Sequence, residues 1–96
     1  MFTWDERKHI LNIEKHGVSF EEAVTVFADA EGLDWEDTNH SRFEIRLKRL
    51  GRSCGGRVLI VVYTVRRTSD ENEEIRIISA RQASRKERKV YARPGP

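Results

Sequence analysis

The longest nearly uninterrupted apolar stretch of the chain runs from Val58 to Val65, with the sequence VLIVVYTV. It is far shorter than the ~20 apolar residues that a membrane-spanning helix needs. Because β-branched residues dominate it, the stretch favours a strand that is buried in a sheet. We therefore expect a strand over residues 57–66 at the centre of a sheet, in a protein that does not insert into a membrane.

Apolar and polar residues alternate before this strand, which predicts a second, half-buried strand over residues 41–50. Phe43, Ile45 and Leu47 fall on one face of that strand, and charged residues fall on the other. A third strand is expected over residues 73–80, with the sequence EEIRIISA. Turn-rich segments separate the three strands, so we expect consecutive antiparallel hairpins.

The first part of the chain has the periodicity of helices. Asp5 stands where an N-cap would accept hydrogen bonds from backbone amides, so the first helix is expected to begin there and to end near Lys15. Ile10 and Ile13 predict its apolar face. Gly17 follows, and glycine readily adopts the left-handed conformation of a C-terminal cap.

Two capping boxes mark the start of two further helices, since in each a serine is followed three residues later by a glutamate. Ser19 with Glu22 opens the second helix, and Ser84 with Glu87 opens a short basic helix that ends near Tyr91. The apolar stripe of the second helix consists of Phe20, Ala23, Val24 and Phe27.

The expected element order is a short strand over residues 2–4, two helices, a strand meander and a last helix. Two helices on one face of an antiparallel sheet form an α+β fold. A chain of 96 residues can build one hydrophobic core but not two, so we expect residues 1–92 to form a single domain and residues 93–96 a flexible tail. Cys54 is the single cysteine and the N-terminus lacks an apolar signal core, which together favour a cytoplasmic location.

The formal net charge of +2 conceals an uneven distribution of charge along the chain. Residues 1–40 contain three basic and ten acidic residues, a net charge of −7. Residues 41–96 contain 15 basic and six acidic residues, a net charge of +9. Such a division suggests that the second half faces a polyanion, while the first half repels nucleic acid or meets a basic partner.

A set of short motifs is spread over residues 2–91 of the chain. They are Phe2–Asp5 (FTWD), Lys15–Ala23 (KHGVSFEEA), Phe27, Val61–Thr64 (VVYT), Arg76–Arg81 (RIISAR), Glu87–Arg88 and Tyr91. In these motifs the sequence resembles the BrnT toxins of bacterial toxin–antitoxin pairs. The resemblance implies a RelE-like fold, metal-independent ribonuclease activity on RNA, with mRNA as the expected substrate, no cofactor, and neutralisation by a BrnA-type antitoxin.

Three arginines are the candidates for binding the scissile phosphate: Arg66, Arg76 and Arg81. A guanidinium is permanently charged and fork-shaped, so it can bind phosphate in a bidentate manner and stabilise charge that develops as a 2′-hydroxyl attacks. In an antiparallel hairpin, Arg66 and Arg76 can stand on one stretch of sheet. The further basic residues expected to bind RNA are Arg67, Arg85, Arg88 and Lys89.

A second group must accept the proton, because arginine is not a useful base at neutral pH. Glu87 and Tyr91 are candidates, since their spacing puts both on one face of the last helix. Basic neighbours are expected to lower the pKa of Tyr91. His16 is the third candidate, although a histidine at a helix C-terminus has a ready structural role there.

The remaining histidines and Trp35 are not expected to contact the substrate. His9 and His40 have no partner at metal-ligand spacing, so no metal site is expected. Trp35 lies in the acidic half, where RNA is expected to be repelled. Two other functional classes fit the same composition, namely a nucleic-acid-binding module without catalysis and a protein that only binds a partner.

Overall fold

The central strand of the sheet is the apolar segment identified from the sequence. The computed structural model describes residues 1–93, and over that range it contains one five-stranded sheet and three α-helices, an α+β fold. Residues 94–96 of the predicted tail lie outside the described range. The elements are β1 (Phe2–Trp4), α1 (Glu6–His16), α2 (Phe20–Thr25), β2 (Leu33–Glu36), β3 (Leu47–Arg52), β4 (Val58–Arg67), β5 (Glu73–Gln82) and α3 (Arg85–Tyr91).

The strand order is β1-β5-β4-β3-β2, which places β4 in the middle as predicted. Strands β2 to β5 form an antiparallel meander, and this confirms the predicted hairpins. β1 instead pairs parallel to β5, so the sheet is mixed. A parallel pairing needs a long connection, and the rest of the domain between β1 and β5 supplies it. Among residues 1–93, no helix is both long and apolar enough to span a membrane.

The two faces of the sheet differ in what covers them. On the helix face, Leu59, Val61 and Tyr63 of β4 pack with Phe20 and Ala23 of α2 in the main hydrophobic core. Because side chains alternate along a strand, the intervening residues of β4 project from the opposite face. α3 covers one end of that opposite face, where the ring of Tyr91 packs on a smaller cluster that consists of Leu50, Val58, Ile60 and Ala83.

The remainder of that face carries no helix, and we call it the open face. Strand register and alternation place on it residues from all five strands. These residues are Thr3 of β1, Trp35 of β2, Lys48 of β3, Val62, Thr64 and Arg66 of β4, and Glu74, Arg76 and Ser79 of β5.

Helix α1 buries polar residues, and the prediction that Ile10 and Ile13 form its buried face is wrong. Ile10 and Ile13 are 52% and 43% exposed, whereas His9 and Asn12 are buried. The Asn12 amide donates to Ala80 O at 2.8 Å and to Val18 O at 2.9 Å, and its oxygen accepts from Ala80 N at 3.1 Å.

This polar contact has a physical cause in the shortness of β1. β1 pairs with β5 only as far as Ile77, so the backbone of Ala80 lies beyond the end of its parallel neighbour. Asn12 supplies there a donor and an acceptor that a longer strand would have supplied. Burying an aliphatic residue instead of Asn12 would leave those backbone groups without partners.

The segment before β3 also differs from its prediction. Only the second half of the strand expected over residues 41–50 forms, because β3 begins at Leu47. The preceding residues belong to the connection between β2 and β3, which we call the 37–46 loop. Phe43 and Ile45 are 92% and 61% exposed instead of facing the core.

Helices α2 and α3 begin as the sequence predicts. Ser19 Oγ accepts a hydrogen bond from Glu22 N at 3.0 Å, and α2 continues as a 3-10 turn over Val26–Ala28. At α3, Ser84 Oγ accepts from Glu87 N while Glu87 Oε1 accepts from Ser84 N, so the capping box is complete.

Acidic residues of the first half bind basic residues of the second half. Arg57 donates to both carboxylate oxygens of Glu22, at 3.0 and 2.5 Å, and this contact lowers the pKa of Glu22. Arg49 forms an ion pair with Asp34. The charge division along the sequence is therefore partly neutralised within the fold.

Candidate active site on the open face

Two of the predicted phosphate-binding arginines are neighbours on the open face. Arg76 of β5 pairs with Thr64 of β4, and Arg66 lies two residues further along β4. Two residues of a strand span about 7 Å, so both guanidinium groups can reach one phosphodiester. The Arg66 side chain is 51% exposed, with Nη2 3.6 Å from Glu44 Oε2.

Arg81 lies far from this pair. It pairs with Ile60, six residues from Arg66 along β4, which corresponds to about 20 Å. Its guanidinium donates to both carboxylate oxygens of Glu87, at 2.7 and 3.0 Å. Arg81 therefore joins β5 to α3, and its charge is already matched by a carboxylate.

Glu87 is held by these contacts as an anion. Hydrogen bonds from Arg81 are the main cause that lowers the pKa of Glu87 to about 2, and the backbone amide of Ser84 acts in the same direction. A carboxylate with so low a pKa is a weak base at neutral pH. These contacts favour a structural role for Glu87 at the start of α3.

Tyr91 is also engaged, and the expectation of a lowered pKa is wrong. Its hydroxyl donates to Asp29 Oδ2 at 2.5 Å, and this hydrogen bond raises the pKa of Tyr91. The guanidinium of Arg52 lies 5.4 Å from the ring centroid, but it does not reverse the shift. The carboxylate of Asp29 outweighs the basic neighbours that the sequence suggested.

The predicted RNA-binding residues divide between the two ends of β4. Arg67 is the last residue of β4 and pairs with Glu73, next to Arg66. Ala83, just before α3, donates its amide to Val58 O at the beginning of β4, so α3 lies at the other end. The basic residues that α3 carries there are Arg85, Lys86, Arg88 and Lys89.

A histidine and an aspartate that the sequence analysis did not assign to catalysis stand beside the open face. His40 Nδ1 lies 3.0 Å from Asp37 Oδ2. The Asp37 side chain is 7% exposed and that of His40 is 65% exposed. A buried carboxylate can thus orient an imidazole that remains accessible to a substrate. The spacing D-x-x-H over residues 37–40 is the sequence signal that could have indicated this pair.

His40 and Asp37 line a cleft of about 200 Å³, which we call the site cleft. Beside it, Ile78 is an extra residue of β5 that has no partner between the pairs Val62–Ser79 and Tyr63–Ile77, which forms a β-bulge. Bulges of this kind occur frequently next to active sites, where they redirect side chains. The remaining residues that line the site cleft are Arg46, Lys48, Val62, Ile78 and Ser79.

The other histidines lie outside the site cleft, which is formed by other residues. His16 is in the last turn of α1, next to the left-handed cap residue Gly17, as its structural role requires. His9 is buried on α1, with its ring stacked on Phe20 at 5.1 Å between centroids. In the part of the chain that the structure describes, no group of three or more His, Cys, Asp or Glu side chains is arranged to hold a metal ion.

Trp35 lies beside a basic residue of the open face, although its acidic neighbours in the sequence suggested a position away from RNA. It pairs with Lys48 across β2 and β3, so it projects on the side of the open face. The neighbouring Asp34 points to the other side, where it accepts a hydrogen bond from the Tyr63 hydroxyl at 2.7 Å. The acidic neighbours of Trp35 in the sequence are therefore not all its neighbours on the surface.

Comparison with known proteins agrees with this architecture. The family model described as "Ribonuclease toxin, BrnT, of type II toxin-antitoxin system" matches residues 4–87. Among solved structures, the crystal structure of the Brucella abortus ribonuclease toxin BrnT is similar, with 25% sequence identity and a TM-score of 0.62. The match covers 88% of this chain and 99% of that chain. Comparison with curated proteins gives no match.

Proposed function

The chain belongs to the BrnT family of ribonuclease toxins of type II toxin–antitoxin systems, and we propose that it cleaves RNA within the strand, on the open face and without a metal ion. In this mechanism the substrate's own 2′-hydroxyl attacks the adjacent phosphorus, the bond from phosphorus to the 5′-oxygen of the next nucleotide breaks, and that oxygen leaves and takes up a proton from water. The products carry a 2′,3′-cyclic phosphate and a 5′-hydroxyl. The observation that carries the proposal is the His40–Asp37 pair in a cleft that also contains Arg46 and Lys48.

The basic side chains of the open face bind the phosphodiester in this proposal. Arg76 of β5 pairs with Thr64, two residues before Arg66 on β4, and Lys48 of β3 pairs with Val62 on the other side of β4 from Arg76. Charge accumulates on the non-bridging oxygens as the 2′-oxygen attacks, and guanidinium groups aimed at them stabilise that charge. A well-placed donor of this kind contributes about 3–4 kcal/mol to transition-state stabilisation.

His40 is the general base in the proposal. Asp37 accepts a hydrogen bond from Nδ1, which leaves Nε2 as the nitrogen that takes the proton from the 2′-hydroxyl. This assignment replaces Glu87 and Tyr91, since the first is bound to Arg81 and the second to Asp29. Arg81, Glu87 and Tyr91 then act together to hold α3 on the sheet.

A type II toxin acts together with an antitoxin protein, and we propose that the partner here is a BrnA-like protein with a DNA-binding module. The same proposal includes a RelE-like domain over residues 1–92, a tail over residues 93–96, a cytoplasmic location and mRNA as the substrate. Translation and growth then stop when the toxin is free. Induced expression should arrest growth, and co-expression of the antitoxin should restore it.

The direct test of the site replaces His40 by alanine and measures cleavage of a single-stranded RNA. Loss of a general base lowers the rate by a factor of about 10²–10⁴. His16→Ala is the matched control, because that histidine is at the end of α1 and outside the site cleft. Equal activity of His40→Ala and wild type would show that another group takes the proton.

A second variant separates an enzyme from a simple binder. Arg76→Ala should retain part of the RNA affinity while cleavage falls by a factor of about 10² or more. Cleavage and binding that fall in parallel would favour a module whose only task is to hold nucleic acid.

A further inference from the structure

The 37–46 loop presents an aromatic ring to solvent. Phe43 is 92% exposed, more than any other large hydrophobic side chain among residues 1–93. Solvation of so large an apolar surface is unfavourable, so a ring in this position indicates a binding surface when its backbone is held in place.

The loop that carries Phe43 is held by hydrogen bonds within the loop before the ring and by a bond to the sheet after it. Ser41 Oγ donates to Asp37 O at 2.7 Å and accepts from Arg46 N at 3.0 Å. Beyond the ring, Ile45 O accepts a hydrogen bond from Thr64 Oγ1 of β4 at 2.9 Å. Phe43 is thus exposed on a loop with defined hydrogen bonds.

The surroundings of the ring match a nucleotide. The guanidinium of Arg42 lies 5.2 Å from the Phe43 ring centroid. These two residues line a cleft of about 130 Å³ together with His40, Glu44 and Arg46, which we call the loop cleft. His40 and Arg46 line both clefts, so the aromatic ring borders directly on the proposed site of cleavage. Glu44 is the acidic member, and its carboxylate faces Arg46 and Arg66.

We propose that Phe43, with Arg42 beside it, is a stacking platform for a base next to the scissile phosphate. This inference rests on the proposed function and adds a determinant of specificity to it. A base can stack on a side chain only when it leaves its own helix, so the platform selects single-stranded RNA. Every base has an aromatic face, so the platform tolerates many sequences.

The test measures binding without cleavage. The probe is a fully 2′-O-methylated single-stranded RNA of mixed sequence, which lacks the attacking hydroxyl, and affinity is measured by fluorescence anisotropy at one fixed salt concentration. Phe43→Ala should weaken binding about 5- to 100-fold, the range known for loss of one stacked base. Phe43→Trp should bind as well as wild type or better.

Two controls make the result specific. Ile45→Ala removes an apolar side chain that is 61% exposed on the same loop, and it should leave the affinity unchanged. Binding of the corresponding duplex should be weak and should not depend on residue 43. Because both side chains are exposed, the thermal unfolding temperature of each variant should match that of wild type.

Three results would overturn the inference. They are an unchanged affinity of Phe43→Ala for the probe, an equal loss in Ile45→Ala, and a loss of antitoxin binding in Phe43→Ala with RNA binding intact. The last result would assign the ring to a protein interface. A failure of the proposed function is recognised separately, because then His40→Ala cleaves RNA normally whatever the behaviour of Phe43.

Discussion

Replacement of Glu87 by glutamine distinguishes a structural carboxylate from a catalytic one. In wild type, Arg81 donates to both oxygens of Glu87, and the amide of Ser84 donates to one of them. Glutamine keeps the size of the side chain but removes its charge. We expect Glu87→Gln to be less stable than wild type and to cleave RNA at an unchanged rate once it is folded.

The size of the effect follows from the pKa of Glu87. A glutamate in an unfolded chain has a pKa of about 4.3, and in the fold the pKa is about 2. The difference corresponds to an upper limit of about 3 kcal/mol in the free energy of unfolding. The Glu87 and Arg81 side chains are 28% and 39% exposed, so solvent screens their interaction. We therefore expect a loss of about 1–2 kcal/mol at pH 7.

The dependence on pH has a definite sign. Because folding lowers the pKa of Glu87, its contribution is complete above pH ~4.3 and disappears as the pH falls towards ~2. Urea unfolding of wild type and Glu87→Gln should therefore differ at pH 7 and pH 5 and converge near pH 2. Glu14→Gln, at an exposed position on α1, is the control and should match wild type throughout.

Three outcomes would refute this reasoning. Equal stability of Glu87→Gln and wild type at pH 7 would mean that the ion pair and the capping box contribute nothing measurable. A difference that grows on acidification would have the wrong sign. A normal stability combined with a loss of cleavage would return Glu87 to the role of a proton acceptor.

Three further changes test other parts of the account. Asn12→Ala should lower the free energy of unfolding by about 2–4 kcal/mol in urea titrations, because it leaves backbone groups of Ala80 and Val18 unpaired; an effect below 1 kcal/mol would mean that water replaces the amide. Tyr91→Phe should lower the free energy of unfolding by about 1 kcal/mol, because the hydrogen bond to Asp29 is lost, and it should leave RNA cleavage intact. Loss of cleavage at normal stability would show that the phenol takes part in the reaction. Arg76→Lys should reduce cleavage about 10- to 100-fold, since lysine cannot make a bidentate contact, and full activity would argue against a guanidinium at this position.

Local patterns in the sequence predicted much of the fold. The run Val58–Val65 identified the central strand, and the two Ser-x-x-Glu patterns identified the starts of α2 and α3. These features depend on neighbouring residues alone: a β-branched run fits a buried strand, and a serine hydroxyl binds an amide three residues on. The central strand and the starts of these two helices could therefore be predicted without knowledge of the topology.

Features that depend on distant residues were not predicted. Asn12 is buried because β1 ends before Ala80, 68 residues further along the chain. The segment 41–46 alternates like a strand, but Ser41 bonds to Asp37 and Arg46 and turns it into a loop. Alternation describes which residues could share a face, and it does not show whether a partner strand is present.

In the candidate site, too, the contacts within one hairpin were predictable from the sequence and the contacts between distant segments were not. The proximity of Arg66 and Arg76 was predictable, because it follows from a single hairpin. The grouping of Arg81 with them is wrong, since about 20 Å of strand separates Arg81 from Arg66. The pairing of Asp37 with His40 for proton transfer was not predicted. The open face is assembled from five strands, so the side chains that surround one phosphate come from separate parts of the sequence.

The central claim is that the open face cleaves RNA through the substrate's own 2′-hydroxyl. The most direct measurement is mass spectrometry of the products formed from a single-stranded RNA by the wild-type protein in the presence of EDTA. We predict fragments that end in a 2′,3′-cyclic phosphate and fragments that begin with a 5′-hydroxyl, and no such products from His40→Ala. Fragments with 3′-hydroxyl and 5′-phosphate ends, or a reaction that stops in EDTA and resumes with magnesium, would contradict the account.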